Sequence, residues 1–224
     1  MDWTAIGLSI RLAAVVCAIL LIIGLPMAYW LTFSRWRWKF LVEAVVALPL
    51  VLPPTVLGFY VLVTIGSQSA LGRAWERWTG HGLAFTFEGL VLASILYSLP
   101  FAVQPVAAAF SRVDTSLIEA SSTLGSSRRR TFFRIIAPLS IEGIITGIVL
   151  SFAHTLGEFG VVLMVGGNLP GVTRTVSIAI YDQVQGFRYA EANATALLLL
   201  VFSFAVLSAV YALIRKPWSM TPRS

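Results

Sequence analysis

The chain has 224 residues, of which 58% are hydrophobic and only 12% are charged. Together with a mean hydropathy of +0.85, this composition excludes a water-soluble domain and argues against soluble enzymes and nucleic-acid-binding proteins. The 16 Lys and Arg residues exceed the 10 Asp and Glu residues, which gives a net charge of +6. In a membrane protein, such a surplus first indicates which loops face the cytoplasm.

Apolar runs long enough to cross a bilayer as helices, which takes about 20 residues each, recur along the chain. They predict an all-α, polytopic membrane protein with a single transmembrane domain over residues 1–224, its core at about 6–214. Five spans are predicted at about 12–33, 44–65, 89–110, 143–166 and 194–214. Pro53 and Pro54 in the second span, and Gly157 and Gly160 in the fourth, predict bends or a gate, because prolines remove backbone donors and glycines relax the helix.

The basic residues fall in alternate loops, which sets the orientation of the spans. One side receives Arg35, Arg37, Lys39, Arg112, Arg128, Arg129, Arg130, Arg134, Arg215, Lys216 and Arg223. That side is predicted to be cytoplasmic, with the amino terminus outside and the carboxyl terminus inside. In the outer loop 169–193, residues 175–185 can form an amphipathic helix. Arg174 in this loop is a candidate contact for an anion or an acidic partner, and a solvated arginine is the alternative.

The inner loop at 114–138 predicts two short helices. Ser116 and Glu119 have the spacing of a capping box, so the first helix should begin near Ser116. Gly125 should end that helix in the left-handed conformation. Ser126 or Ser127 should cap a second helix that reaches Pro138. This pattern indicates either a docking element or a basic loop held against anionic lipid.

One face of the fourth span is small and polar. It carries Gly143, Gly147, Ser151, His154 and Glu158 at steps of three or four residues. Glycines allow close helix packing, and ionisable groups inside a bilayer normally face a bundle interior or a water-filled path. The face is therefore predicted to line a translocation pathway or the adjoining subunit contact. The alternative is a structural role, with His154 and Glu158 hydrogen-bonded one turn apart.

The inner loop resembles the E-A-A-x-x-x-G-x9-I-x-L-P motif found in the inner-membrane permease subunits of ABC importers. The matching or aligned positions are Glu119, Ala120, Ser121, Gly125, Ile135 and Pro138. Ser121 and Ala137 depart from the motif as mild substitutions. The resemblance implies that the loop docks on a separate ATPase subunit, which accounts for the absence of a phosphate-binding loop in this chain.

Residues 48–58 and 154–168 narrow the resemblance to the molybdate permease subunits of these importers, which are related to sulfate permeases. It implies a type I importer fold in a bacterial inner membrane that forms the path for molybdate. It also implies no cofactor on this chain, ATP and Mg used by two copies of an ATPase subunit, and an extracytoplasmic molybdate-binding protein. No nucleic-acid partner is expected.

Five spans are few for an enclosed pathway, so a second copy of the chain is predicted. No Lys or Arg inside the spans is available to hold a divalent anion tightly, so recognition is assigned to the binding protein. The alternatives are a sulfate or tungstate importer permease and, in another class, a membrane receptor or scaffold that does not transport.

Overall fold

The computed structural model describes residues 1–214. Arg215, Lys216 and Arg223, which the prediction placed on the cytoplasmic side, lie outside the described residues. The described part of the chain is helical and contains no strand. Its elements are α1 (Trp3–Phe33), α2 (Lys39–Val51), α3 (Pro54–Ile65), α4 (Ala70–Thr79), α5 (Phe87–Phe110), α6 (Thr115–Thr123), α7 (Arg128–Thr131), a π-helical turn (Phe132–Ile136), α8 (Ala137–Leu139), α9 (Ile141–Gly157), α10 (Gly160–Gly166), α11 (Val176–Gln185) and α12 (Tyr189–Ile214).

Three of these helices, α1, α5 and α12, are long and apolar enough to cross a membrane. Two bent pairs are further candidates: α2 with α3, which meet at 113°, and the segment Arg128–Leu139 with α9, which meet at 74°. The described residues therefore offer three to five spans. The predicted bends are both present, since α2 ends before Pro53 and a break separates α9 from α10 between Gly157 and Gly160.

The centre of the molecule is a bundle of α1, α5 and α9. Within it, Leu12, Val16 and Leu20 of α1 pack with Leu90 and Ala102 of α5, all of them buried. Each of these helices is apolar around most of its circumference, because one side meets its neighbours and the other side meets lipid. The predicted outer helix is also present, as α11, and its first amide at Val176 donates to the buried Ser9 hydroxyl of α1 over 2.8 Å.

The glycines of α9 pack against α5. A Cβ atom at Gly143 would lie 2.8 Å from the Pro105 carbonyl oxygen, and one at Gly147 would lie 2.9 Å from the Ala102 carbonyl oxygen. The next small residue on this face, Ser151, is buried and donates its hydroxyl to the Gly147 carbonyl. The prediction that this part of the face lines a pathway or a subunit contact is therefore wrong. The small residues are needed for two helix backbones within the chain to approach each other.

A valine at Gly143 is accordingly expected to destabilise the bundle by about 1–3 kcal/mol, because it forces α9 away from α5. Gly7→Val in α1 is the matched control, since nothing lies within 4 Å of a Cβ at Gly7. The thermal midpoint of the detergent-purified chain should fall for Gly143→Val and stay close to wild type for Gly7→Val. Equal midpoints for the two variants would contradict the assigned packing.

Candidate functional site: coupling element and helix joint

The first part of the candidate site is the segment 114–138, which we call the coupling element. Its first helix, α6, begins at Thr115 because the Asp114 carboxylate accepts a hydrogen bond from the Ser116 amide at 2.9 Å. The capping box predicted for Ser116 and Glu119 is therefore wrong. A carboxylate two residues upstream caps the helix amides and also interacts favourably with the positive end of the helix dipole.

The cap makes α6 sensitive to pH. Hydrogen bonds from Ser116 lower the pKa of the Asp114 carboxyl below its ordinary value of 3.8. The cap therefore stabilises α6 fully above that pH, and this contribution is lost as the pH falls through the lower folded pKa. After correction for intrinsic exchange rates, amide hydrogen exchange in α6 should accelerate below about pH 4. Asp114→Asn keeps a capping side chain that does not titrate, so an equal acceleration in that variant would contradict the assignment.

The bend after α6 forms as predicted. Gly125 has a φ of 73°, in the left-handed region, and nothing lies within 4 Å of a Cβ placed there. The Ser126 amide donates to the Ser121 carbonyl at 3.0 Å, which closes the helix end. The Ser127 hydroxyl then accepts from the Arg130 amide at 3.3 Å and caps α7, the second predicted helix.

A buried hydrogen bond holds the two helices of the coupling element together. The hydroxyls of Ser121 and Thr131 lie 2.9 Å apart, and both side chains are buried. Ser121 is one of the two positions that depart from the importer motif, which has an alanine there. An alanine has no hydroxyl and could not form this hydrogen bond with Thr131. The sequence analysis missed Thr131, because two hydroxyls ten residues apart give no sequence signal for this contact.

The coupling element has an attached side and an exposed side. On the attached side, the Phe132 ring lies 5.6 Å from the Tyr29 ring of α1 and 6.0 Å from the Phe110 ring of α5. Half-buried Ile135 packs into the same cluster. The remaining motif residues, Glu119, Ala120, Gly125 and Pro138, are exposed. Leu124 beside the bend is 85% exposed, so an apolar side chain projects from the surface next to these residues.

The second part of the candidate site is the contact between the two helix breaks, which we call the helix joint. A Cβ at Gly160 would lie 2.6 Å from the Cβ of Pro54. One turn further along α3, a Cβ at Gly58 would lie 2.8 Å from the Cβ of Met164. The first residues of α3 and α10 therefore touch, because glycines remove the side chains that would separate them. Pro53 and Gly157 flank the joint and are exposed.

Glu158 caps α10 at the joint. Its carboxylate accepts a hydrogen bond from the Val161 amide at 2.8 Å, and the residue is only 8% exposed. His154 has other partners: its Nδ1 atom is hydrogen-bonded to the Ser98 hydroxyl at 2.9 Å, and its ring stacks on Phe101 with centroids 3.9 Å apart. The alternative in which His154 and Glu158 bond to each other is therefore wrong. Each side chain stabilises a different piece of the fold.

Arg174 lies apart from both sites, on the opposite side from the coupling element. It is half-buried and its Nε donates to the Asn168 side-chain oxygen. The Asn168 amide nitrogen in turn donates to Asp182, which also pairs with Arg188 at 3.4 Å. Arg174 is thus part of a polar network with Asn168, Asp182 and Arg188. Within residues 1–214, no group of three or more His, Cys, Asp or Glu side chains could hold a metal ion.

Residues 20–218 match the family of binding-protein-dependent transport system inner membrane components. The chain belongs to this family, and it is the membrane permease subunit of an ABC transporter. It is 50% identical to the molybdenum transport system permease protein ModB of Azotobacter vinelandii, over 94% of this chain and 93% of that protein. It is also 37% identical to ModB of Escherichia coli (strain K12), over 92% of this chain and 90% of that protein.

Solved structures share the fold. A bacterial ABC transporter involved in the import of the acidic polysaccharide alginate matches 95% of this chain with a TM-score of 0.76 and 17% identity, over 79% of that chain. The inward-facing MetNI methionine ABC transporter matches 94% of this chain with a TM-score of 0.71 and 17% identity, over 95% of that chain. The predicted fold class, an all-α importer permease, is confirmed.

Proposed function

We propose that the chain forms the membrane path of an ATP-driven importer that takes up molybdate. The observation that carries this proposal is the 50% identity to ModB of Azotobacter vinelandii across nearly the full length of both chains. The probable sulfate transport system permease protein cysT of Prototheca wickerhamii is 30% identical over 91% of this chain and 79% of that protein. Sulfate is therefore the second candidate substrate, and the higher identity favours molybdate.

Competition on the cognate binding protein tests the choice of substrate, because tight recognition of the anion is assigned to that protein in the proposed assembly. Labelled molybdate bound to that protein should be displaced by unlabelled molybdate and retained against sulfate at the same concentration. Displacement by sulfate at equal concentration would overturn the choice of molybdate. Tungstate is expected to compete, because its tetrahedral dianion is chemically so similar, and it is the alternative cargo of the same path.

The proposed assembly contains two copies of the chain, two copies of a cytoplasmic ATPase subunit and an extracytoplasmic binding protein in the bacterial inner membrane. The chain acts as one transmembrane domain with its amino terminus outside. The alternating loop charges support the proposed orientation. The exposed apolar face of α12, where Leu200 and Phe204 are 65% and 71% exposed, supports burial of that face against lipid or a second copy of the chain. ATP and Mg belong to the ATPase, and the chain itself carries no cofactor and no catalytic residue.

In this assembly the coupling element transmits force. Glu119, Ala120 and Gly125 would contact the ATPase, since they are exposed around the bend. Ser121, Ile135 and the neighbouring aromatic residues would pass the movement on, because they connect α6 through α7 to the ends of α1 and α5. Pro138 lies in the first turn of the short α8, which leads into α9.

The helix joint is the proposed gate. Pro53, Pro54, Gly157 and Gly160 interrupt two helices at one depth, and interruptions inside a membrane are stable only where protein or a water-lined cavity satisfies the backbone. The Glu158 carboxylate satisfies one of these backbone groups, because it accepts a hydrogen bond from the Val161 amide. His154 is assigned to the wall beside the gate, and Arg174 to the outer surface that meets the binding protein.

A further inference from the structure

A groove of about 650 Å³ lies between α1 and the coupling element. Its walls are apolar: Ile22, Leu25 and Pro26 of α1 face Phe132 and Phe133 of the π-helical turn. Ile22 is 73% exposed and Phe133 is 70% exposed. A helix rises 1.5 Å per residue, so Ile22 lies about 16 Å from the end of α1 at Phe33, which is about half the thickness of a bilayer core.

Two arginines of the coupling element, Arg128 and Arg129, line the same groove, and its lining contains no acidic residue. Within the described residues, no carboxylate forms an ion pair with either of them. An occupant must therefore combine a long apolar portion with an anionic group. A guanidinium is well suited to the second part, because its fork of N–H donors matches the oxygens of a phosphate.

We infer that this groove binds an anionic phospholipid of the cytoplasmic leaflet. Its phosphate would lie at Arg128 and Arg129, and an acyl chain would lie along Ile22, Leu25 and Pro26. A second copy of the chain fits less well, since an apolar helix placed there would bury two unpaired guanidinium groups. The inference rests on the proposed orientation, which places the coupling element at the cytoplasmic surface.

The site has a consequence for coupling. Arg128 begins α7, and α7 is joined to α6 by the buried hydrogen bond between Ser121 and Thr131. A lipid held at Arg128 and Arg129 therefore braces the coupling element against α1. Zwitterionic lipid lacks the net charge that the two arginines attract.

Native mass spectrometry of the detergent-purified full chain tests the site, with phosphatidylglycerol and phosphatidylcholine as the probes. Wild type should retain phosphatidylglycerol in preference to phosphatidylcholine. Arg128→Gln with Arg129→Gln should weaken phosphatidylglycerol binding roughly twenty-five-fold, because each lost guanidinium contact to the lipid phosphate costs about a factor of five. Arg130→Gln with Arg134→Gln removes the same charge, but these residues do not line the groove and cannot contact a phosphate held there, so binding should change by less than about twofold.

A second pair of variants tests the apolar wall. Ile22→Trp should fill the groove and reduce phosphatidylglycerol binding, whereas Ile23→Trp at the next position, outside the lining, should not. Equal losses in the two arginine double variants would overturn the inference, as would displacement of the lipid by millimolar inorganic phosphate. A smaller dimer fraction in Ile22→Trp with lipid binding unchanged would instead make the groove a subunit contact. Binding is measured without transport, so these results are independent of the substrate.

Discussion

Gly125→Val is expected to reduce ATP-driven uptake at least about tenfold while ATP hydrolysis by the assembled complex continues. Gly125 has a φ of 73°, and a β-branched residue held there costs about 1–3 kcal/mol. The bend will relax, and α6 will be displaced from the position in which the Ser121 and Thr131 hydroxyls meet. The measurement is uptake and ATP hydrolysis in parallel, in vesicles that contain the full complex.

Gly80→Val is the matched control for this substitution. Gly80 follows α4 with a φ of 80°, and nothing lies within 4 Å of a Cβ there either. The backbone strain is comparable, but the residue is far along the chain from the coupling element, so Gly80→Val should retain uptake.

Glu119→Lys offers a test without backbone strain, because it reverses one exposed charge on α6. Wild-type uptake in both Gly125→Val and Glu119→Lys would show that the loop does not dock on an ATPase.

Gly160→Val is expected to have the second largest effect, again a loss of uptake of about tenfold or more. A Cβ at Gly160 would lie 2.6 Å from the Cβ of Pro54, so any larger residue must push α10 away from α3. Overpacking of this kind costs about 1–3 kcal/mol, and here the cost falls on one arrangement of the joint. The variant will disfavour the arrangement in which α3 and α10 are in contact. A joint that must return to this contact in each transport cycle will then be held open.

The control is Gly7→Val in α1, outside the helix joint and with nothing within 4 Å of its Cβ. Uptake should be close to wild type in Gly7→Val, and both variants should reach the membrane in similar amounts. A Gly160→Val chain that is folded and transports normally would remove the helix joint from the pathway. Gly160→Ala adds only the methyl group that would meet Pro54, so it is a milder form of the same change. Reduced uptake by a folded Gly160→Ala chain would show a gating effect even if Gly160→Val fails to fold.

Sequence reasoning reached the parts of the structure that depend on local chemistry. The bends at Pro53 and Pro54 follow from missing backbone donors, and the end of α6 at Gly125 follows from the conformational freedom of glycine. The helix over 175–185 was predicted from its amphipathic pattern and is present as α11. Each of these features is determined by a few adjacent residues, so it is visible in one sequence.

Features that depend on distant partners were not predictable in the same way. Gly143 and Gly147 form a small-residue face that suits a pathway and a helix contact equally, and only the position of α5 decides between them. The partner of His154 is Ser98, which is 56 residues away, and the partner of Ser121 is Thr131 across a bend. The start of α6 was missed for a different reason, because Asp114 and Ser116 are both good caps and periodicity does not choose between them.

Uptake of labelled molybdate into vesicles tests the central claim most directly. The vesicles would contain this chain and its ATPase subunit, with the binding protein and molybdate on the side opposite the ATPase. Molybdate should move to the ATPase side only when ATP is supplied to that side, and accumulation should fall at least about tenfold when this chain is replaced by Gly125→Val. Absence of ATP-dependent accumulation with an active ATPase and a loaded binding protein would contradict the account and favour a membrane receptor or scaffold.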